Sequence, residues 1–266
     1  MKPLLSRFIL HSMALQSPHQ STRSETETSS RPRITYWAGR GRAEPLRCIL
    51  AAANVTFDNV FLENKQDLQV LVENNKLAYD QVPLVQIDGL NLVQTGPTAE
   101  YLAEAYGLMP QCPRERYTVG QIVAATRDAR EPYVSYPFHM DETRLRTEIF
   151  GPKGLFGRYC VKWESQLAAA TNDNNAETTT DDKGPYFLNT GPSLADVSVF
   201  ELMDFHRHVF GEGTMRSDFD SFPSLLGLHD AVLDLGRLRT WRDEERPRLF
   251  ISQWSEYADV VVRTLS

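Results

Sequence analysis

The chain has 266 residues, long enough for two modest domains, and its 41% hydrophobic and 24% charged content is ordinary for a globular protein in water. A formal net charge of −7 argues against a dedicated nucleic-acid binder, which would carry a basic patch or stripe, and no apolar run approaches the length that spans a bilayer. Cys48, Cys112 and Cys160 show no CxxC spacing and cannot all pair, so a reducing compartment is the simpler setting.

Residues 1–32 read unlike the rest. No acidic residue precedes Glu25, Lys2, Arg7 and Arg23 are basic, and Leu4, Leu5, Phe8 and Ile9 recur at helical spacing. An organelle transit peptide and an untargeted disordered tail both fit such a segment. A secretory signal fits less well, because Ser6, Arg7 and His11 interrupt the apolar stretch.

The stretch from Arg33 to Arg47 organises the rest of the chain. Ile34-Thr35-Tyr36-Trp37 is β-branched and aromatic, which predicts a short buried strand. Gly39 and Gly41 then signal a turn, and Glu44 and Pro45 open a helix with Leu46, Ile49, Leu50 and Ala53 at helical spacing. Tyr36 therefore ends a strand while Arg42 stands near the next helix's start. A phenol, a permanent cation and a helix N-terminus around one space suit an anion, above all a thiolate. Lowering a thiol pKa by about two units takes roughly 2.7 kcal/mol, within reach of one charge-assisted hydrogen bond and a nearby cation. Cys48 lies too far into the helix, so the thiol must come from a substrate. The dinucleotide fingerprint is excluded, since Glu44 occupies the third glycine's slot.

Thr56–Leu62 reads as a second strand, and residues 63–80 as polar chain with one short helix around Leu68, Leu71 and Val72. Val82–Ile87 reads as a third strand, joined by the tight turn Asp88-Gly89 to Leu90–Val93. Thr95 is placed to cap a helix running to Tyr106. Strand, helix, strand, then hairpin and helix is the order of a thioredoxin-like domain over 33–106, with a linker at 107–113. Residues 114–266 then form an all-helical domain. Its helical patterns cover 114–130, 142–170, 194–210 and 222–242, with an aromatic break at Tyr133, Tyr136, Pro137 and Phe138. Thr171–Gly184 reads as a polar surface loop, and Ser193-Leu-Ala-Asp196 as a capping box. His206 and His208, two apart, fall on different helix faces and are expected to be solvated or half-buried rather than metal ligands.

Tyr36 with Gly39-Arg40-Gly41-Arg42, then Gln81-Val82-Pro83, Gln94-Thr95 and the Ser193 box, resembles in order and spacing a soluble glutathione S-transferase of the alpha or sigma class. The resemblance runs from about residue 33 to about residue 205 and implies glutathione as co-substrate, with no other cofactor or metal. It implies that Tyr36 and Arg42 hold the glutathione sulfur as a thiolate. Gln81, Val82 and a cis-Pro83 would bind the tripeptide backbone, and Gln94 and Thr95 would receive its γ-glutamyl carboxylate. Asp128 matches an aspartate that reaches across a dimer, Arg158 an arginine of the same site, and Tyr79 the aromatic key inserted into a partner subunit, so a homodimer is implied. Trp37, Val134 and the C-terminal helix would line the second-substrate pocket.

Departures from that pattern are also visible. Val72 stands where the alpha class has a basic residue, with Lys76 a nearby replacement, and Gly96-Pro97 stands where an arginine and an alanine are usual. The chain after about residue 242 does not match an alpha-class ending. Three readings are open. The first is a transferase that attacks apolar electrophiles, the second a glutathione-dependent isomerase or prostaglandin-type synthase, and the third a non-catalytic binding or structural module. A thiol–disulfide oxidoreductase is disfavoured, lacking cysteine between Tyr36 and Arg42. A cytoplasmic location is implied, or an organelle if residues 1–32 target one.

Overall fold

The computed structural model describes residues 31–172 and 184–266, so the readings of residues 1–30 and of most of the Thr171–Gly184 loop lie outside it. Four strands form one sheet in the order β2-β1-β3-β4, where β1 is Arg33–Tyr36, β2 Asp58–Phe61, β3 Leu84–Ile87 and β4 Leu90–Val93. β1 runs parallel to β2, pairing Tyr36 with Phe61, and antiparallel to β3, pairing Thr35 with Leu84. Helix α1 (Glu44–Ala52) makes the crossover, and its Leu46, Ile49 and Leu50 are buried completely or nearly so. Asp88 and Gly89 take φ of 50° and 76°, the left-handed pair that a two-residue hairpin turn demands. Helices α2 (Lys65–Glu73) and α3 (Thr95–Ala105) complete the thioredoxin-like unit.

The second unit is built of helices: α4 (Pro113–Ser135), α5 (Glu142–Phe150), α6 (Leu155–Asn172), α7 (Leu194–Phe210), α8 (Glu212–Asp218) and α9 (Pro223–Leu233). Short helices α10 (Leu238–Thr240) and α11 (Arg246–Leu249) flank a wide turn at Trp241–Glu245, and α12 (Trp254–Leu265) ends the chain.

Several boundaries move for physical reasons. β3 starts at Leu84 rather than Val82, since Pro83 has no N–H for a ladder. Thr95 does not cap α3. Gln94 holds the N-cap position, and the Thr95 hydroxyl donates to the Arg42 carbonyl instead (2.9 Å). α4 runs through Pro132 and Tyr133, so the aromatic break begins only at the 3-10 turn Tyr136–Phe138. The pattern over 142–170 splits where Pro152, between Gly151 and Gly154, cannot continue a helix.

The histidine expectation needs a larger correction. His206 is fully buried among Tyr133, Phe150, Phe156, Phe210 and Phe219. Its Nδ1 lies 2.8 Å from the Tyr133 hydroxyl and its Nε2 2.8 Å from Asp218 Oδ2. Burial pushes its pKa down to about 4 against the opposing pull of Asp218, so at neutral pH the ring is neutral. It then donates to Asp218 from Nε2 and accepts from Tyr133 at Nδ1.

The two units meet over a buried lattice of charges. Arg40 binds Asp204 (2.6 Å) and Glu201 (2.8 Å), and Arg246 binds Asp204 (2.8 Å) and Glu44 (2.9 Å). Arg47 reaches Glu44 (3.3 Å), Arg130 reaches Glu201 (2.8 Å), and the Trp241 indole donates to Glu44 (3.1 Å). Buried ions of this kind persist only where each has a partner. Burial alone would raise the pKa values of Glu44 and Asp204, but Arg246 and Arg40 overcome it and hold both carboxyls below their ordinary range. The lattice fixes the Gly39–Gly41 turn from beneath, and that turn carries the site.

Candidate active site

Tyr36 lies at the C-terminal end of β1 and is only 4% exposed. Its oxygen accepts a hydrogen bond from the Arg42 backbone N–H at 3.0 Å. The ring rests on Gly41, where a Cβ would stand 2.8 Å from ring carbon Cζ and closer still to Cε1 and the hydroxyl. Gly41 also takes φ of +41°, so both space and backbone require glycine there. Burial raises the Tyr36 pKa, opposed by the Arg42 amide and then by the charges of Arg130, Arg47 and Arg42. The phenol therefore keeps its proton at neutral pH and is available as a donor.

It opens onto a cavity of about 470 Å³. The walls come from separate elements that the fold brings together: Trp37 after β1, Leu68 of α2, Asp80 to Pro83 before β3, and Gln94 to Pro97 at the start of α3. Gln81, Val82, Pro83, Gln94 and Thr95 thus share one cleft with Tyr36 and Trp37, and the Val82–Pro83 peptide is cis. The Gln94 amide nitrogen donates to the Gln81 side-chain oxygen at 3.2 Å. Gln94 holds φ of 66° and Asp80 φ of 54°, conformations that cost side-chain-bearing residues about 1–3 kcal/mol and cluster at functional sites. The free N–H groups at the start of α3 border the cleft, a setting that favours an anion.

Other expected residues lie elsewhere. The Arg42 guanidinium lines the cleft's edge but is turned into a two-pronged pair with Glu131 (2.7 and 2.9 Å), half exposed, so its backbone rather than its charge touches Tyr36. Asp128 and Arg158 are exposed on α4 and α6, and neither lines the cleft in this chain. Tyr79 is 66% exposed in the turn before β3. Val72 and Lys76 are absent from the cleft walls, whose cations are Arg42 and Arg127. Val134 does not share a cavity with Trp37. It lines a separate space of about 20 Å³ with Pro137, Trp254 and Tyr257, which the C-terminal segment nearly fills.

Sequence reasoning missed two residues beside Tyr36. Arg130 of α4 is 7% exposed, donates to the Gly41 carbonyl (2.9 Å), and acts on Tyr36 more strongly than the Arg42 charge does. Only its position on one face of α4 with the buried Thr126 hinted at burial. Tyr257 of α12 packs on Gly39, and no local signal links such distant positions. Cys48 is buried and its thiol is pushed well above the ordinary range by burial and by Glu44, which leaves it inert as a nucleophile. Among the described residues no cluster is suited to hold a metal, and no helix is long and apolar enough to cross a membrane.

The family model of the glutathione S-transferase N-terminal domain matches residues 32–104, and that of the C-terminal domain matches residues 127–245. Glutathione S-transferase A3 of Mus musculus is 30% identical over 207 residues, 78% of this chain and 86% of its own length. Glutathione S-transferase A4 of Homo sapiens is 42% identical over 139 residues, covering 52% of this chain and 63% of its own. In fold, the structure of an Onchocerca volvulus Pi-class glutathione S-transferase superposes with a TM-score of 0.64 at 21% identity, over 84% of this chain and 97% of that one. With both domain models matched across most of its length, the chain belongs to the glutathione S-transferase family.

Proposed function

We propose that the chain conjugates glutathione to apolar electrophiles, and that the observation carrying this reading is the buried Tyr36 hydroxyl in the cleft wall. The tripeptide lies along the cleft, its cysteinyl backbone pairing with Val82 as an added strand would. Gln81 contacts the peptide, while Gln94, Thr95 and the α3 N-terminus take the γ-glutamyl carboxylate. Tyr36 donates to the sulfur and stabilises its thiolate. Arg130, Arg47 and Arg42 add a positive field, with Arg42 contributing through its backbone amide as well. The thiolate then attacks an electrophilic carbon held nearby, and the leaving group departs or the new carbanion is protonated. Rate enhancement comes from thiolate activation and from holding the two reactants together.

Asp128 and Arg158 line no cavity with Tyr36 of their own chain, and Tyr79 offers a large exposed aromatic surface. A homodimer in which a second copy supplies both polar groups accounts for all three residues. A cytoplasmic site of action, or an organelle's if residues 1–32 direct it there, fits the same reading. Tyr36→Phe tests it. The rate of conjugation to a chlorodinitrobenzene-type acceptor should drop about 10- to 100-fold, the worth of one hydrogen bond to a charged group, with glutathione affinity nearly intact. An unchanged rate would place activation elsewhere, and no binding of glutathione by either form would leave only a scaffold.

A further inference from the structure

One cation of the cleft wall, Arg127, has no hydrogen bond, ion pair or ring stack among the described residues. It stands on α4 one turn before Glu131, a spacing at which opposite charges pair along a helix. Glu131 is already taken, because both of its oxygens accept from the Arg42 guanidinium (2.7 and 2.9 Å). The place of Arg127 is fixed by two cavities. It lines the 470 Å³ cleft with Tyr36, Gln94, Thr95 and Gly96, and it also lines an adjoining space of about 250 Å³. Arg42, Thr95 and Gly96 are the other residues common to both, which puts Arg127 where α3 begins. Its Nη1 lies 3.6 Å from the point where a side chain on Gly96 would start. Residue 96 is glycine, so it puts no side chain between the guanidinium and the unpaired N–H groups of the helix's first turn.

We propose, on the glutathione reading of the cleft, that Arg127 binds the γ-glutamyl carboxylate and sets the site's preference for peptides that carry that group. Gln94, Thr95 and the α3 N–H groups offer the carboxylate neutral donors and the partial charge of a helix dipole. Arg127 adds a full charge, and its planar fork matches the two oxygens. Arg42, the other cation of the cleft wall, is neutralised by Glu131 and would have to give up that pair to serve the same end. The substrate thus supplies the carboxylate that the chain withholds from Arg127.

Arg127→Gln removes the charge from an exposed side chain and leaves the core untouched. Calorimetric titration of wild type and variant then compares three peptides. They are glutathione, its γ-aminobutyryl analogue, which lacks only the γ-glutamyl carboxylate, and its glycinamide, which lacks the charge at the other end. Glutathione should bind Arg127→Gln about 5- to 10-fold more weakly than wild type, the worth of one charged hydrogen-bonded pair open to solvent. The glycinamide should lose the same factor, since it keeps the γ-glutamyl carboxylate. The γ-aminobutyryl analogue should bind both proteins within about two-fold, because the group that Arg127 reads is missing from it. For conjugation, kcat/KM with glutathione should fall in step with its affinity. Equal weakening of glutathione and the γ-aminobutyryl analogue would overturn the proposal, and so would a loss confined to peptides with a glycyl carboxylate. If wild type binds no glutathione, the transferase reading falls too, whereas wild-type binding that Arg127→Gln leaves unchanged removes this proposal alone.

Discussion

Gly39→Ala isolates one contact. At Gly39 the added methyl would stand 2.6 and 2.9 Å from two ring atoms of Tyr257 and closer still to a third, where carbon atoms normally rest at about 3.5–4.0 Å. The ring must retreat by about 1 Å, and it is held by α12 against a nearly filled cavity. Gly39 does not take a left-handed φ, so no backbone cost is added and the penalty is steric alone. Overpacking of this kind costs about 1–3 kcal/mol. A double-mutant cycle with Tyr257→Ala reads the contact directly. Chemical denaturation should show Gly39→Ala destabilising the wild type by that amount and the Tyr257→Ala background by much less. The coupling energy should be about 1 kcal/mol or more. Amide exchange across residues 254–265 should quicken in Gly39→Ala and not change further in the double variant. Equal destabilisation in both backgrounds would refute the steric account and with it the close seating of α12 on the turn.

The same geometry sets three further outcomes. Asp204→Asn removes the negative charge shared by Arg40, Arg207 and Arg246, turns one accepting oxygen into a donor, and should destabilise the fold by about 3–5 kcal/mol in urea, the usual cost of stranding buried cations. Because His206 has its pKa lowered to about 4, the stability gained from its neutral form is complete above about 6.5. That share is lost as pH falls toward about 4, and an NMR titration should show the His206 ring resonances moving only near that lower value. On the proposed homodimer, Tyr79→Ala should shift the chain toward monomer in sedimentation without changing the unfolding of the monomer, because the side chain is 66% exposed.

What could be read in the sequence was local. The strand ending at Tyr36, the Asp88-Gly89 turn and the Ser193–Asp196 pair each depend on neighbours a few residues away. In the fold, Asp196 accepts from both the Ser193 N–H and its hydroxyl at 2.7 Å. The cleft set of Gln81 to Pro83 with Gln94 and Thr95 was also legible, because it is spelled out in order. The pairing of Arg42 with Glu131 could not be read for a physical reason: a flexible side chain at a surface goes to a nearby carboxylate, and Glu131 lies on a helix whose facing was unknown from sequence. Arg130 and His206 escaped because burial of a polar residue depends on partners far along the chain. Tyr257 escaped because α12 lies beyond the part that resembles the family and shows which side it buries only once docked.

Arg40, Glu44 and Arg47 stand in the front third of the chain, while Glu201, Asp204 and Arg246 stand far behind them. Glu44 pairs with Arg47 and Asp204 with Arg246 within their own portions, but both carboxylates that hold Arg40 lie in the back one, so a chimera whose back portion lacks them strands Arg40 in a buried seam. A swap is tolerated at this seam only when Arg40 travels with Glu201 and Asp204. The seam therefore limits which hybrids recombination can assemble, however well their individual folds agree.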